Sequence, residues 1–162
     1  MNTKTYLTRM LIIFIVGLTF SNQIQAASLQ EIITVAEQQF DGVAFTAERY
    51  TRARKRFYDV ELLRGRQIIE AVFDANTGNL LESEIYSSPR RSVRVSVALN
   101  RANISLLQAI DIAEKRVSNS RAIEAEIRLS HAQYLIEVRA GTQLYEVVIN
   151  SMSGRVIRVN LD

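Results

Sequence analysis

A chain that carries the same structural unit twice has few ways to fold, and the sequence shows such a repeat. Ser28-Leu29 returns as Ser105-Leu106 and Ala36-Glu37 as Ala113-Glu114, 77 residues further on. From Tyr58 the displacement is 76: Tyr58, Glu61, Gly65, Gln67, Glu70, Val72 and Gly78 fall on Tyr134, Glu137, Gly141, Gln143, Glu146, Val148 and Gly154. One residue is gained or lost somewhere between positions 41 and 57. Self-similarity of this kind means one supersecondary unit made twice. A lone domain of about 60 residues buries too little surface to be comfortably stable, so the copies are expected to pack on each other.

Each copy opens with a helix. Ser28-x-x-Glu31 and Ser105-x-x-Gln108 are capping boxes, in which two side chains satisfy backbone N–H groups that the first turn leaves without partners. Leu29, Ile32, Ile33, Ala36 and Phe40 share one helical face, and so do Leu106, Ala109, Ile110, Ala113 and Val117. Asp41-Gly42 and Ser118-Asn119 supply stops. The period then changes to two. Tyr58, Val60 and Leu62 point one way and Asp59 and Glu61 the other, with Tyr134, Ile136 and Val138 repeating the inward set. Ile69, Ala71 and Phe73, and then Tyr145, Val147 and Ile149, mark the next strand, its outward positions including Glu70 and Glu146. Turns at Gly65, Gly141, Asp74–Gly78 and Asn150–Gly154 lead to final strands ending near Ile85 and Leu161. An earlier strand lies around 44–52 and 121–129.

Between the copies, Ser87-Ser88-Pro89-Arg90-Arg91 reads as the start of a linker. Ser92 to Leu99 then alternates, with Val93, Val95, Val97 and Leu99 on one side. The spacing predicts a linker or extra strand over 87–103, with Val93, Val95 and Val97 as a candidate edge strand for partner binding. The expected fold class is α+β: two tandem copies, over 28–86 and 104–162, each a helix packed on a small antiparallel sheet of about three to four strands.

Lys4 and Arg9 precede an uncharged apolar run from Leu11 to Phe20, and polar residues lead into Ile24-Gln25-Ala26-Ala27. This is the layout of a secretory signal peptide over 1–26, with cleavage near Ala26; an uncleaved anchor is the alternative. Ten apolar residues fall short of the roughly 20 that cross a bilayer as a helix. No later stretch is apolar enough to span, so no stable membrane span is expected after cleavage, and the expected location is periplasmic or secreted. Cleavage removes two of the 20 basic residues and none of the 17 acidic ones, lowering the formal charge from +3 to +1. General attraction to polyanions is not implied, and export argues against nucleic acid as a partner.

The residue inventory argues against an enzyme. There is no cysteine and one histidine, His131, in a predicted hairpin tip, which removes thiol catalysis and His-based metal clusters. No nucleophile elbow or phosphate-binding glycine loop occurs. Glu61/Glu137 and Glu70/Glu146 lie on outward strand faces and read as solvated or cross-strand-paired carboxylates. Asp74 and Asn76 offer too few oxygens for calcium, which takes about six to eight. No catalytic residue, metal or cofactor is therefore expected. The densest unusual feature is Arg49, Arg52, Arg54, Lys55 and Arg56, beside Tyr50 and Phe57, at the tip between the first two strands of copy one. Copy two has only Arg128 nearby, so the fold does not demand the cluster. These five residues are candidate partner-binding groups, suited to carboxylates or phosphates, with a solvated turn as the plain alternative.

The order of signals resembles the PepSY domain family: an opening helix with Ala-Glu (Ala36-Glu37, Ala113-Glu114), then Tyr-x-Val/Ile-Glu (Tyr58 to Glu61, Tyr134 to Glu137), then a strand and an Asp/Asn-x-x-x-Gly turn (Asp74 to Gly78, Asn150 to Gly154). The resemblance covers nearly all of 28–86 and 104–161. It implies a non-catalytic domain of the kind found in inhibitory propeptides of thermolysin-type metallopeptidases and in envelope proteins associated with cell-wall hydrolases. Asn150 departs from the usual turn Asp, which suits the turn equally but weakens a repeated carboxylate role. The expected partner is thus an envelope protein, a protease or a receptor's outer domain, which the protein inhibits or modulates. The alternative is an anionic envelope polymer bound by the Arg49–Arg56 tip.

Overall fold

The computed structural model describes residues 26–162; the expected signal peptide lies outside the described residues but for Ala26. Each copy is a helix followed by four strands. Copy one has α1 (Leu29–Phe40), β1 (Val43–Arg52), β2 (Lys55–Arg64), β3 (Gln67–Asp74) and β4 (Leu80–Ser87). A second helix, α2 (Pro89–Arg101), links it to copy two, with α3 (Leu106–Arg116), β5 (Arg121–Arg128), β6 (Gln133–Ala140), β7 (Gln143–Asn150) and β8 (Val156–Leu161). Both capping boxes form: the Ser28 and Ser105 hydroxyls accept from the N–H of Glu31 and Gln108, whose side chains accept from the serine N–H.

Two small sheets were expected; the strands form one. Its order is β4-β3-β2-β1-β5-β6-β7-β8, antiparallel throughout. The first strands of the two copies, β1 and β5, pair through Thr46↔Glu126, Ala47↔Ala125 and Glu48↔Glu124. Had each copy kept its own sheet, both strands would be open edges able to recruit other chains. Pairing them removes two edges and lets α1 and α3 share one core. Such a long-range contact leaves no trace in local periodicity.

The joint has twofold pseudo-symmetry, because Ala47 and Ala125 are equivalent residues. That equivalence is a displacement of 78, which resolves the uncertain stretch of the repeat. β-Bulges follow Ala44 and Ala122, and the N–H groups of these alanines donate to Glu37 Oε1 at 3.0 Å and Glu114 Oε1 at 2.7 Å. Copy two is thus one residue longer between helix and first strand. Copy one then gains two residues in its β1–β2 hairpin, where pairing continues to Arg52↔Lys55; in copy two it stops at Arg128↔Gln133.

α1 and α3 cover one face of the sheet, over a core that includes Ile33, Val60, Leu62, Phe73, Ile110, Ile136 and Ile149, all buried. The predicted strand over Ser92–Leu99 is a correction: these residues lie in α2, and Val93, Val95 and Val97 form no edge strand. The alternating valines concealed a helical set, Ser92, Val95 and Ala98, which are the buried positions of α2, while Val93 and Val97 face water. Pro89 opens the helix, where its missing N–H does no harm. Tertiary context decided the outcome: α2 packs on β2, β3 and β5, on the face opposite α1. Ile68 and Ile69 are neighbours in β3 and point to opposite faces, yet both are fully buried. Copy one is therefore covered on both sides. Among the described residues no helix is long and apolar enough to cross a membrane.

Candidate functional site

Most of the repeated signature residues hold the fold together. Glu37 and Glu114 fix the start of the first strand in each copy, as above. Tyr58 and Tyr134 donate their hydroxyls to the carbonyls of Ala27 and Ile104, each at 2.8 Å, tying the sheet to the segment entering each helix. Burial pushes the Tyr134 hydroxyl up to about 12, so it stays protonated. Asp74 Oδ1 accepts from the N–H of Asn76 and Thr77, and Asn150 Oδ1 from Met152 and Ser153, so Asp and Asn serve the turn alike. Gly78 and Gly154 take φ of 72° and 71° there, beside Ile32 and Ile112. A signature so largely engaged in structure leaves function to the places where the copies differ.

One such place is the basic tip. It rides on the two-residue extension of the β1–β2 hairpin, where Ala53 and Arg54 both have positive φ. Strand alternation divides the five cations. Arg49 and Arg56 share the α1 face with Tyr58, and help line a groove of about 590 Å³ together with Ala27, Glu31 and Arg121. Arg52 and Lys55 face the other way beside Tyr50 and Phe57, whose rings stack 5.4 Å apart. Arg54 is at the turn. Arg56 donates to Asn76 Oδ1 at 3.2 Å. The cluster is not one surface. His131 is exposed in the β5–β6 loop, with its Nδ1 2.8 Å from Ser130 Oγ.

The other place is the second face of the sheet. In copy one, α2 lies on it. Arg91 forks onto the Glu61 carboxylate at 2.6 and 2.5 Å and onto the Tyr86 hydroxyl at 2.8 Å. The same guanidinium lies 5.4 Å from the centre of the Phe45 ring. In copy two, α2 reaches β5, and no helix packs comparably on this face of β6, β7 or β8 among the described residues.

The charge on this face is one-sided. Cross-strand pairing sets Asp59 opposite Glu48, Glu48 opposite Glu124, Glu124 opposite Glu137, and Glu137 opposite Glu146. Neighbouring strands are about 4.8 Å apart, and like charges directly opposite one another destabilise a sheet. Glu146 has Arg158 at 2.7 Å. Among the described residues Glu48, Asp59, Glu124 and Glu137 have no cation within ion-pair distance. Asp59 is pushed up to about 6, first by burial and then by Glu70, Glu61 and Glu48, and its Oδ1 has no hydrogen-bond partner. Burial, helped by neighbouring carboxylates, also raises Glu124 and Glu137. The carboxylates are strung along a row rather than gathered round a point, and no group of three is placed to hold a metal ion among the described residues.

Sequence reasoning placed Asp59, Glu61, Glu137, Glu70 and Glu146 on outward faces correctly, but missed Glu48, Glu124 and Glu126. An all-acidic outward set on adjacent strands was the available signal. Only the β1–β5 register turns it into a continuous row.

A protein-family model described as peptidase propeptide and YPEB domain, PepSY, matches the chain twice, at residues 26–84 and 103–160. No curated protein matches. Among solved structures, a Clostridium difficile 630 protein described as a lipoprotein superposes with a TM-score of 0.50 at 20% identity, over 87% of this chain and 99% of its own. The Bacillus megaterium YpeB C-terminal domain aligns with a TM-score of 0.30 at 14% identity, over 85% of this chain and 66% of its own. The first likeness concerns the fold. Two matches spanning most of the sequence, each beginning and ending with a helix-and-four-strand unit, place the chain in the PepSY domain family, of which it carries two tandem copies.

Proposed function

We propose that this is an exported, non-enzymatic binding protein that inhibits or modulates an envelope protease or sensor by holding part of it against the second face of its sheet. The observation that carries this reading is the acidic row, Asp59 to Glu146, facing outward with most of its charge uncompensated. Mutual repulsion of this kind costs stability on the order of 0.5 kcal/mol per pair, and a partner bringing cations would relieve it. Of the repeated polar residues, Glu37/Glu114, Tyr58/Tyr134 and Asp74/Asn150 are engaged in bulges, helix entries and turns, and Glu61 and Glu146 pair with arginines. The sole histidine lies beside a serine hydroxyl in a loop. Family membership and the N-terminal segment fit an envelope location.

A photo-crosslinking residue placed at Glu48, Glu137 or Arg158, in cells expressing the full sequence, tests this. The expected result is an adduct with one protease or sensor, whose activity changes when the purified protein is added. An absence of adducts from all three positions would overturn it.

A second reading has its own observation: the basic extension exists in copy one alone. An anionic envelope polymer bound there should be released by reversing Arg54 and Arg56 to Glu, and unchanged retention of lipopolysaccharide would reject it.

A further inference from the structure

We infer that the copy-two half of the second face is a dock for a basic amphipathic helix of a partner protein, seated as α2 is seated on copy one. This rests on the binding reading above and names the kind of element bound.

The repeat supplies the template. Beneath α2, copy one presents Phe45, Glu61 and Ile68; the equivalent residues in copy two are Ile123, Glu137 and Leu144. An apolar residue stands for each apolar one, and the carboxylate that receives Arg91 recurs as Glu137. The copy-one occupant is a helix with a narrow stripe of Ser92, Val95 and Ala98, four arginines and no acidic residue. Along the repeat Glu124 replaces Thr46, while Asp59 gives way to Leu135 and Glu82 to Arg158, so the carboxylates of the copy-two seat gather on β5 and β6, at Glu124 and Glu137. Ile68 is fully buried under α2, whereas Leu144 is only partly covered.

Dimensions favour a helix. Beyond β5, which α2 already reaches, β6 to β8 span about 10–14 Å, the length of about two to three helical turns. The site is a sheet face, not an edge, so an added strand would find no backbone groups to pair with. A second copy of this chain is a poorer occupant, since its own α2 is already seated. One substitution shapes the dock: Leu63 is replaced by Arg139, an exposed guanidinium at the rim that an incoming cationic helix must displace.

The test uses a synthetic peptide of residues 88–102, with Val93→Ala and Val97→Ala to raise its helicity, titrated into ¹⁵N-labelled protein expressed from the full sequence. Amide signals of Ile123, Glu137, Leu144 and Val148 are expected to shift, and those of Phe45 and Ile68 to stay. Glu137→Lys should weaken binding about tenfold, and a peptide carrying Arg91→Glu should restore it. Glu137→Gln gives the same readout should the lysine variant misfold. Arg139→Leu should tighten binding several-fold by reproducing the copy-one seat. No shifts at about 1 mM peptide, shifts confined to the copy-one half, exchange of α2 between two copies, or equal affinity in a folded Glu137 variant would each overturn the dock. If the peptide fails while crosslinking still captures a protease or sensor, the dock falls and the binding reading stands; if crosslinking captures nothing, the reading itself falls.

Discussion

Ile68 and Ile69 are both sealed from water, while their counterparts Leu144 and Tyr145 are both partly exposed. The two halves of the sheet come from one repeated pattern, share its bulges, caps and turns, and differ in what lies over the second face. On copy one a basic helix neutralises Glu61 and buries Phe45; on copy two Ile123 is buried as well, but Glu137 remains within reach of solvent with no cation at ion-pair distance among the described residues. A duplicated unit has used most of its repeated residues to build the fold, and the unrepeated pieces, α2 and the hairpin extension, distinguish one half from the other. Contrasting substitutions at equivalent positions therefore say more than either alone.

The largest contrast should come from the floor of that face. Ile68→Ala empties a sealed site and is expected to cost about 3 kcal/mol, whereas Leu144→Ala, at a partly open site, should cost about 1 kcal/mol. Urea denaturation of both variants measures the difference. Equal losses would mean that the two halves are equally covered in solution. Next comes a contrast in sign. Glu61→Gln loses the ionic fork to Arg91 and should destabilise by about 1–2 kcal/mol. Glu137→Gln removes one charge from a repelling row and should leave stability unchanged or raise it by a few tenths of a kcal/mol. If Glu137→Gln destabilises as much as Glu61→Gln, a cation already serves Glu137 and the dock is filled.

Much of this was legible in the sequence. The capping boxes, the period-two strands and the glycine turns each depend on neighbours a few residues away, so their positions could be read locally. Three things could not. The pairing of β1 with β5 joins residues some 78 apart, and nothing in either strand alone names its partner. The 92–99 segment satisfied two periods at once, and only the apolar ground at Phe45 and Ile68 selected the helix. The acidic row became visible only when the register placed Glu48 beside Glu124. The basic tip was found as a composition, but strand alternation splits it between two faces, which the residue count did not reveal.

The acidic row also predicts a pH dependence. Asp59 is ordinarily near 3.8 and sits at about 6 in the fold, facing Glu48 from β1, Glu70 from β3 and Glu61 from its own strand. The folded state thus holds this proton more tightly than the unfolded chain. Its contribution to stability is full below about pH 4 and is lost as pH rises toward 6. Glu124 and Glu137 act in the same direction. Glu31 and Asp74, lowered by hydrogen bonds from backbone and hydroxyl groups, act oppositely, but only below the ordinary carboxylate range. After allowance for solvent screening at a half-exposed site, the Asp59 effect is about 1 kcal/mol, or roughly 3 °C in Tm. Thermal unfolding at pH 4.5 and pH 7 should show it, and Asp59→Asn should flatten it by raising the value at pH 7. A flat profile in the parent protein would mean that the row is already compensated.

The smallest expected effect belongs to the hairpin extension, and it separates the two unrepeated pieces from each other. Ala53 and Arg54 hold φ of 51° and 65°, the left-handed region that a two-residue hairpin turn requires at both central positions and that Asn-Gly fills most readily. Holding two ordinary residues there costs roughly 1 kcal/mol apiece, though stacking of Tyr50 on Phe57 just below helps keep the hairpin closed. Ala53→Asn with Arg54→Gly should therefore stabilise the protein by about 1 kcal/mol, read as a higher urea midpoint with an unchanged slope. The same variant, assayed for crosslinking at Glu137, decides whether the extension works with the sheet face. Retained adducts make the tip a separate device; lost adducts in the more stable protein mean that its strained turn belongs to the same interface.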